Sequence, residues 1–303
     1  MVLFGAGASH GAGSIIPEPP PLGLALYDAL LRSYPGSWGA LPENVQATFR
    51  TGGFETGMRA VYDTFGQAIP QLMREMAVYF VQFRPFGRDS LYCRLIRDLQ
   101  KENVLPQLIF SSLNYECVLE FALLEAGIRV EYFPENLTPE AIAVWKLHGS
   151  CNMFAQSVQA SQGVLYGTGV TWEGGAQAFF DSNRVVEHCL VETGLAPMMS
   201  LYMEGKPLNV SPSVVRQVQD AWSEHVAAAR AIFVVGVMPV VSDTHIWAPL
   251  ADTRAPLYFV GDGNAFQKWT QSQRPDVSSF YLGSRFAESY ADLITRMRIH
   301  GAD

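Results

Sequence analysis

The chain has little cysteine, little charge and no excess of basic residues. Only 4 cysteines occur in 303 residues, at positions 93, 117, 151 and 189. No pair is close enough in sequence for a zinc knuckle or a disulfide framework, so no metal and a reducing, cytoplasmic setting are expected. Lys and Arg number 21 against 29 Asp and Glu, a formal net charge of −8. A general basic surface is therefore absent, and no direct nucleic-acid binding is expected beyond what a local patch would allow. No apolar run reaches the roughly 18 residues of a membrane span. The longest, "MAVYFVQF" at 76–83, is far shorter. The N-terminus has no positive region and no cleavable apolar segment, so neither a membrane anchor nor a signal peptide is expected.

Charged residues make up 17% and hydrophobic residues 49%, the composition of a packed globule rather than a disordered chain. Short β-rich runs alternate with helical patterns. Strands are predicted in "VLFG" (2–5), "QLIFSS" (107–112), "RVEYF" (129–133), "AVWKLHG" (143–149), "AIFVVGV" (231–237), "PLYFVGD" (256–262) and "VSSFYLG" (277–283). Several are apolar throughout, as parallel strands buried on both faces are. Helices are predicted over 22–33, over 114–127 with Gly127 as the stop, and over 211–231 with Ser211 and Pro212 as cap and first turn. This order predicts an α/β fold, a Rossmann-like doubly wound parallel sheet. The sheet core is assigned to about 1–35, 105–150 and 230–303 of a single domain. A helical insertion at about 36–104 and an irregular, partly helical one at about 151–229 would form a smaller second lobe.

Three clusters carry chemistry. The first is "VLFGAGASHGAG" at 2–13, where an apolar strand breaks into glycines. A strand, a glycine turn and a helix start together form the usual phosphate cradle of α/β proteins. The spacing Gly-x-Gly-x-x-x-Gly is one residue longer than the dinucleotide fingerprint. The acid that would hold a ribose, Asp28, falls on a helix, which disfavours an ordinary dehydrogenase. The alternative is a tight turn with no ligand. The second cluster is "FSSLNYE" (110–116), a strand end that puts Asn114 and Glu116 toward a ligand crevice, or simply a helix cap and a first-turn acid. The third is "WKLHGS" (145–150), a strand ending in His148 and Gly149.

Taken in order, "GAGAS", "SLNYE" and "KLHGS" resemble the Sir2 family, whose pattern is Gly-Ala-Gly-x-Ser, then Asn-x-Asp, then His-Gly. "VVGVMPVVSDTHIW" (234–247) and "LYFVGDGN" (257–264) extend the resemblance over most of the chain. The departures narrow it. The two Cys-x-x-Cys pairs that hold zinc in deacylating sirtuins are absent, Glu116 replaces the family Asp, and "GSIIPEPPPLG" replaces the stretch after the glycine loop. The closer likeness is to Sir2-like domains of prokaryotic antiphage systems, which cleave NAD⁺ to nicotinamide and ADP-ribose.

The resemblance implies the following roles. NAD⁺ is the substrate, His148 the general base, and Asn114 holds the ribose or an ordered water. Gly5, Ala6, Gly7 and Ser9 would cradle the pyrophosphate, and Glu116 would reach the carboxamide. Gly236 and Asp243, in the fourth segment, are assigned to cofactor binding; Asp243 and His245 would line the cleft or cap the helix after Ser242, with the cap favoured for Asp243. Asp262 would accept from the adenosine ribose, favouring NAD⁺ over NADP⁺, or serve a turn. His10 is assigned either to the phosphate site or to solvent, and His245 is left open. A Cys151–His148 nucleophile pair is disfavoured for want of a third, orienting group. A protein deacylase and a non-catalytic NAD⁺ or ADP-ribose sensor are the rival functions. The expected partners are NAD⁺ and either further copies of the chain or a separate sensor protein.

Overall fold

The structure, a computed structural model, describes residues 1–156, 171–191 and 195–301. Parts of the stretch assigned as an irregular insertion, 157–170 and 192–194, lie outside the described residues. In chain order the elements begin β1 (Val2–Phe4), α1 (Ala6–His10), β2 (Ile15–Ile16), α2 (Gly23–Ser33), α3 (Glu43–Phe65) and α4 (Ile69–Val81). Next come β3 (Arg84–Pro85), α5 (Leu91–Lys101), β4 (Phe110–Ser112), α6 (Val118–Glu125), β5 (Arg129–Glu131) and β6 (Ala141–Lys146). They are followed by β7 (Met153–Ala155), β8 (Ala176–Ala178), α7 (Ser182–Val191), α8 (Pro212–Ala228) and β9 (Ile232–Val235). The chain closes with α9 (Thr244–Asp252), β10 (Leu257–Val260), α10 (Gly263–Gln273), β11 (Ser279–Gly283) and α11 (Phe286–Gly301).

All seven predicted strands enter one parallel sheet, in the order β11-β10-β9-β1-β4-β6-β5. Alternation along each strand sends residues to opposite faces. Val2, Phe4, Val144, Phe233 and Val235 join a core with α2, α5, α6 and α11. Leu3, Trp145, Ile232 and Val234 join a second core with Trp222 of α8, Trp247 of α9 and Trp269 of α10. Helices on both faces make the sheet doubly wound; β1, β4, β9 and β10 are buried throughout, while the edge strands β5 and β11 are partly exposed. From β1 the chain crosses to β4 on one side; from β6 it later returns to β9 on the other. The carboxyl ends of β1 and β9 therefore flank a topological switch point, where open α/β sheets leave a crevice.

The insertion at 36–104 is largely helical. Trp38, Phe49, Phe54 and Met58 join the same core as Tyr27 of α2 and the strand residues Val2 and Phe4, and α7 packs on α4. The helices that end the two inserted stretches serve the sheet: α5 packs on α6 and α11, and α8 packs on β6 and α9. The helix predicted over 114–127 begins only at Val118. Asn114 N–H donates to Ser112 Oγ and Val118 N–H to Glu116 Oε2, so local side-chain bonds hold 114–117 as a turn. Ser211 does precede α8, but its backbone is left-handed and its hydroxyl makes no cap bond. Among the described residues no helix is long and apolar enough to cross a membrane.

Candidate active site

A cleft of about 550 Å³ opens at the switch point. The structure brings Gly5, Ala6, Gly7, Ser9, Asn114, Glu116, His148, Gly236, Asp243 and Asp262 to its walls. These residues come from five separate stretches, and each follows a strand of the central sheet. Parallel strands all end on one side of the sheet, which is why they converge.

The glycine turn is a packing device first. Gly5 N–H donates to Val235 O (2.9 Å), Gly7 N–H to Gly236 O (3.0 Å) and Ala8 N–H to Gly5 O (2.9 Å). A Cβ on Gly5 would lie 2.6 Å from Gly236 O, and one on Gly7 3.0 Å from it. The glycines let two strand ends lie against each other, and of the N–H groups from 5 to 8 only that of Ala6 has no acceptor among the described residues. Ala6 N–H is therefore the group of this turn left open to a ligand among the described contacts. Ser9 also turns inward rather than toward a phosphate. Its hydroxyl donates to Glu116 Oε1 (2.6 Å), and it lies 3.0 Å from the buried Tyr92 hydroxyl.

Asn114 is held from behind. Its Nδ2 donates to Ser9 Oγ (3.0 Å) and to Glu116 Oε1 (2.8 Å). Both amide hydrogens are thereby committed, and Oδ1 is left as the acceptor toward the cleft. Glu116 is 5% exposed and is the hub of this network, not a free carboxylate aimed at a ligand. Burial pushes its carboxyl above the ordinary range; Lys146 and the hydrogen bonds from Ser9 and Val118 pull the other way. A glutamine at 116 has one acceptor oxygen for these three donors. Glu116→Gln is therefore expected to lower stability by about 1–3 kcal/mol. Thermal melts check this; an unchanged melting temperature would mean that the network contributes little.

Lys146 is fully buried behind the site. Its Nζ donates to Glu116 O (2.7 Å) and pairs with Glu120 (3.0 Å), whose Oε1 also accepts from Tyr132 (3.0 Å). Glu120 and its neighbours outweigh burial and raise the Lys146 pKa. Sequence reasoning passed over Lys146, although a lysine inside the apolar run "AVWKLHG" signals a paired buried charge.

His148 follows β6 and is 5% exposed. Gly149 is forced: its φ is +73°, and a Cβ there would overlap the Met198 carbonyl. That close approach lets Ser150 N–H donate to Met198 O (2.9 Å) and Ser200 N–H to His148 O (2.9 Å). His148 Nε2 lies 3.0 Å from His245 Nε2. Burial, then His245 and Lys206, depress the His148 pKa well below 6.5.

Asp243 is the residue before α9 but makes no side-chain cap bond; its carboxylate faces the cleft instead. Asp262 does cap α10, accepting from Asn264 N–H (2.9 Å) and Ala265 N–H (3.0 Å) through Oδ1 alone. Both the turn role and a place on the cleft wall are thus observed. His10 is exposed and its Nδ1 lies 2.9 Å from Pro20 O, tying the proline-rich segment to α1. Cys151 approaches Cys117, with sulfurs 3.6 Å apart, and burial raises its pKa. His148 is engaged with His245, so no Cys–His pair exists here. Among the described residues no three His, Cys, Asp or Glu side chains converge as a metal site.

Three wall residues had no clear sequence signal: Tyr202, Lys206 and Glu55. Lys206 pairs with Glu55 and lies 5.0 Å from the Tyr202 ring centre. It is the only Lys or Arg among the described residues that line the cleft. The segment that carries it reaches the site through long-range packing, which no local pattern reports.

Fold and site together define a Rossmann-like α/β protein with a deep cleft at the switch point of its sheet. Comparison with models of known protein families and with curated protein sequences finds no match.

Proposed function

We propose that the protein is an NAD⁺ glycohydrolase of the Sir2-like type, cleaving NAD⁺ to nicotinamide and ADP-ribose. The observation that carries this reading is the meeting of Asn114 and His148 in one cleft with the glycine turn and Asp262. The three clusters lie far apart in sequence, and the resemblance requires them to converge. A volume of about 550 Å³ falls in the range of small-molecule sites.

The bond to break joins nicotinamide to C1′ of ribose, through an oxocarbenium-like transition state. Nicotinamide leaves readily, so the protein's task is to hold the ribose and prepare the nucleophile. Asn114 Oδ1 accepts from a ribose hydroxyl or an ordered water, held by Ser9 and Glu116 behind it. His148 takes the nucleophile's proton. The bare backbone of the glycine turn admits the pyrophosphate, with Ala6 N–H and Lys206 as its donors. The free Oδ2 of Asp262 is the acceptor for the adenosine ribose. The biological setting we propose is the bacterial cytoplasm, with NAD⁺ depletion as antiphage defence, and with further copies or a separate sensor protein as the trigger. The four free cysteines fit a reducing compartment.

The test is incubation with NAD⁺, with and without an acetyl-lysine peptide, reading nicotinamide and the ribose product. Peptide-independent ADP-ribose release supports the hydrolase. Release only with peptide, as an O-acyl product, would make the protein a deacylase. NAD⁺ binding without turnover would make it a sensor.

The depressed histidines set a pH dependence. His148 and His245 both have pKa values lowered from 6.5, chiefly by burial. Both are neutral at pH 7, so the acid limb of the rate profile is expected below 6.5. Stability follows the same sign. As pH falls below 6.5 the unfolded chain takes up protons that the folded pair refuses, and the folded state loses stability. A pH–rate profile with parallel melts checks both; an acid limb above 6.5 would contradict the assignment.

A further inference from the structure

His148 and His245 reach each other from either side of the switch point, one after β6 and the other at the start of α9. Their Nε2 atoms are 3.0 Å apart and their ring centres 5.1 Å apart. One proton serves such a contact, so one ring donates and the other accepts. His148 also bonds the Leu113 backbone, in the sense that favours its charged form. With Nε2 on His245, that bond falls to Nδ1–H donating to the carbonyl. The lone pair of His148 is then on Nε2, and His245 Nε2–H donates to it. Of the four ring nitrogens, only Nδ1 of His245 keeps an open lone pair among the described contacts.

We propose that His148 and His245 work as one base, in which His245 holds the reactive nitrogen of His148 at rest and carries the proton during turnover. This rests on the hydrolase reading above. The nucleophile's O–H bond breaks and its proton joins the pair. The oxygen's electrons form the bond to C1′ as the C1′–N bond breaks, and that bond's electrons stay on the nicotinamide nitrogen. The pair gains one positive charge and later releases one proton to solvent. Nε2 of His148 faces His245, so uptake at that atom requires the rings to part. Of the two rings only His148 is among the residues that line the cleft, so the nucleophile's proton enters at its Nε2 as the rings part and then resides on His245.

The surroundings put the charge on His245. His148 is buried, with the cations of Lys206 and of a protonated His245 both opposed to its ionisation. His245 is half-buried, and Asp243 favours its charged form while Lys206 opposes it. Glu55 pairs with Lys206, and the Tyr115 and Tyr202 hydroxyls complete the titratable groups near Asp243.

The test uses the whole chain and His245→Gln, which keeps an N–H donor for His148 Nε2. A purely structural role would survive this change. The expected result is a kcat loss on the order of 10²-fold with KM little changed, together with a displaced acid limb. Turnover within about threefold of the parent between about pH 5 and 9, with the same limb, would overturn the proposal while leaving the hydrolase reading intact. If the parent protein turns over no NAD⁺ without its trigger, NMR titration of the ring protons decides the pair independently. Coupled titration, with the His148 midpoint moving in His245→Gln, supports it; independent titration overturns it. Should that variant not fold, Asp243→Asn serves: a lowered midpoint for the pair is expected, and an unchanged one overturns the proposal.

Discussion

His148→Ala is expected to cut NAD⁺ turnover by about 10²–10⁴-fold, the contribution of a positioned general base. The imidazole is neutral at pH 7 and borders the cleft, so in the proposed hydrolase its removal takes away the proton acceptor and leaves His245 without its ring partner. Asn114→Ala is expected to cost a similar factor for a different reason. It deletes the Oδ1 acceptor and frees Ser9 Oγ and Glu116 Oε1 from their amide donor. Asn114→Asp separates the two losses. It keeps an acceptor toward the cleft but sets a second carboxylate against Glu116, so it is expected to be inactive and less stable. The measurement is nicotinamide release by each variant, with melts to show that the fold persists. A His148→Ala protein within a few-fold of the parent would remove His148 from the chemistry.

Gly236→Ala is expected to be strongly destabilising. Its backbone φ is +68°, and a Cβ there would overlap the Ala8 backbone nitrogen. A left-handed conformation costs a non-glycine residue about 1–2 kcal/mol, and forcing atoms into a filled space about 1–3 more. The sum, roughly 2–5 kcal/mol, is a large part of the stability of an ordinary domain. Gly87 is the control. It has φ +69° but nothing within 4 Å of a built Cβ, so Gly87→Ala pays only the conformational term. Equal denaturation midpoints for the two variants would show that the packing of β1 and β9 ends against each other does not depend on a bare backbone.

These expectations separate two kinds of legibility. Fold class was open to reading because the buried inner strands advertise themselves: "AIFVV" (231–235) and "PLYFV" (256–260) are apolar throughout and each is followed by a glycine. Gathering the site residues needed one further step, the rule that ligands collect at the carboxyl ends of parallel strands. Their orientations were not open to reading. Glu116 and Ser9 had a ligand role by resemblance, yet each is turned toward Asn114, because a buried carboxylate must be met by donors. The helix over 114–127 lost its first turn to the same local bonds.

The sequence by itself determined the strands, the two-faced burial of the sheet and the three clusters that follow strand ends. Hydrophobic periodicity and glycine placement are local, and local interactions suffice to decide them. Only the tertiary structure decided that His245 meets His148, that Lys146 joins Glu120 beneath the site, and that Cys151 faces Cys117 rather than a histidine. Each of those pairs joins separate segments, two of them linking the start of α6 to the end of β6 or the residues just after it. Their distances and protonation are set by burial, which exists only once the sheet has closed around them.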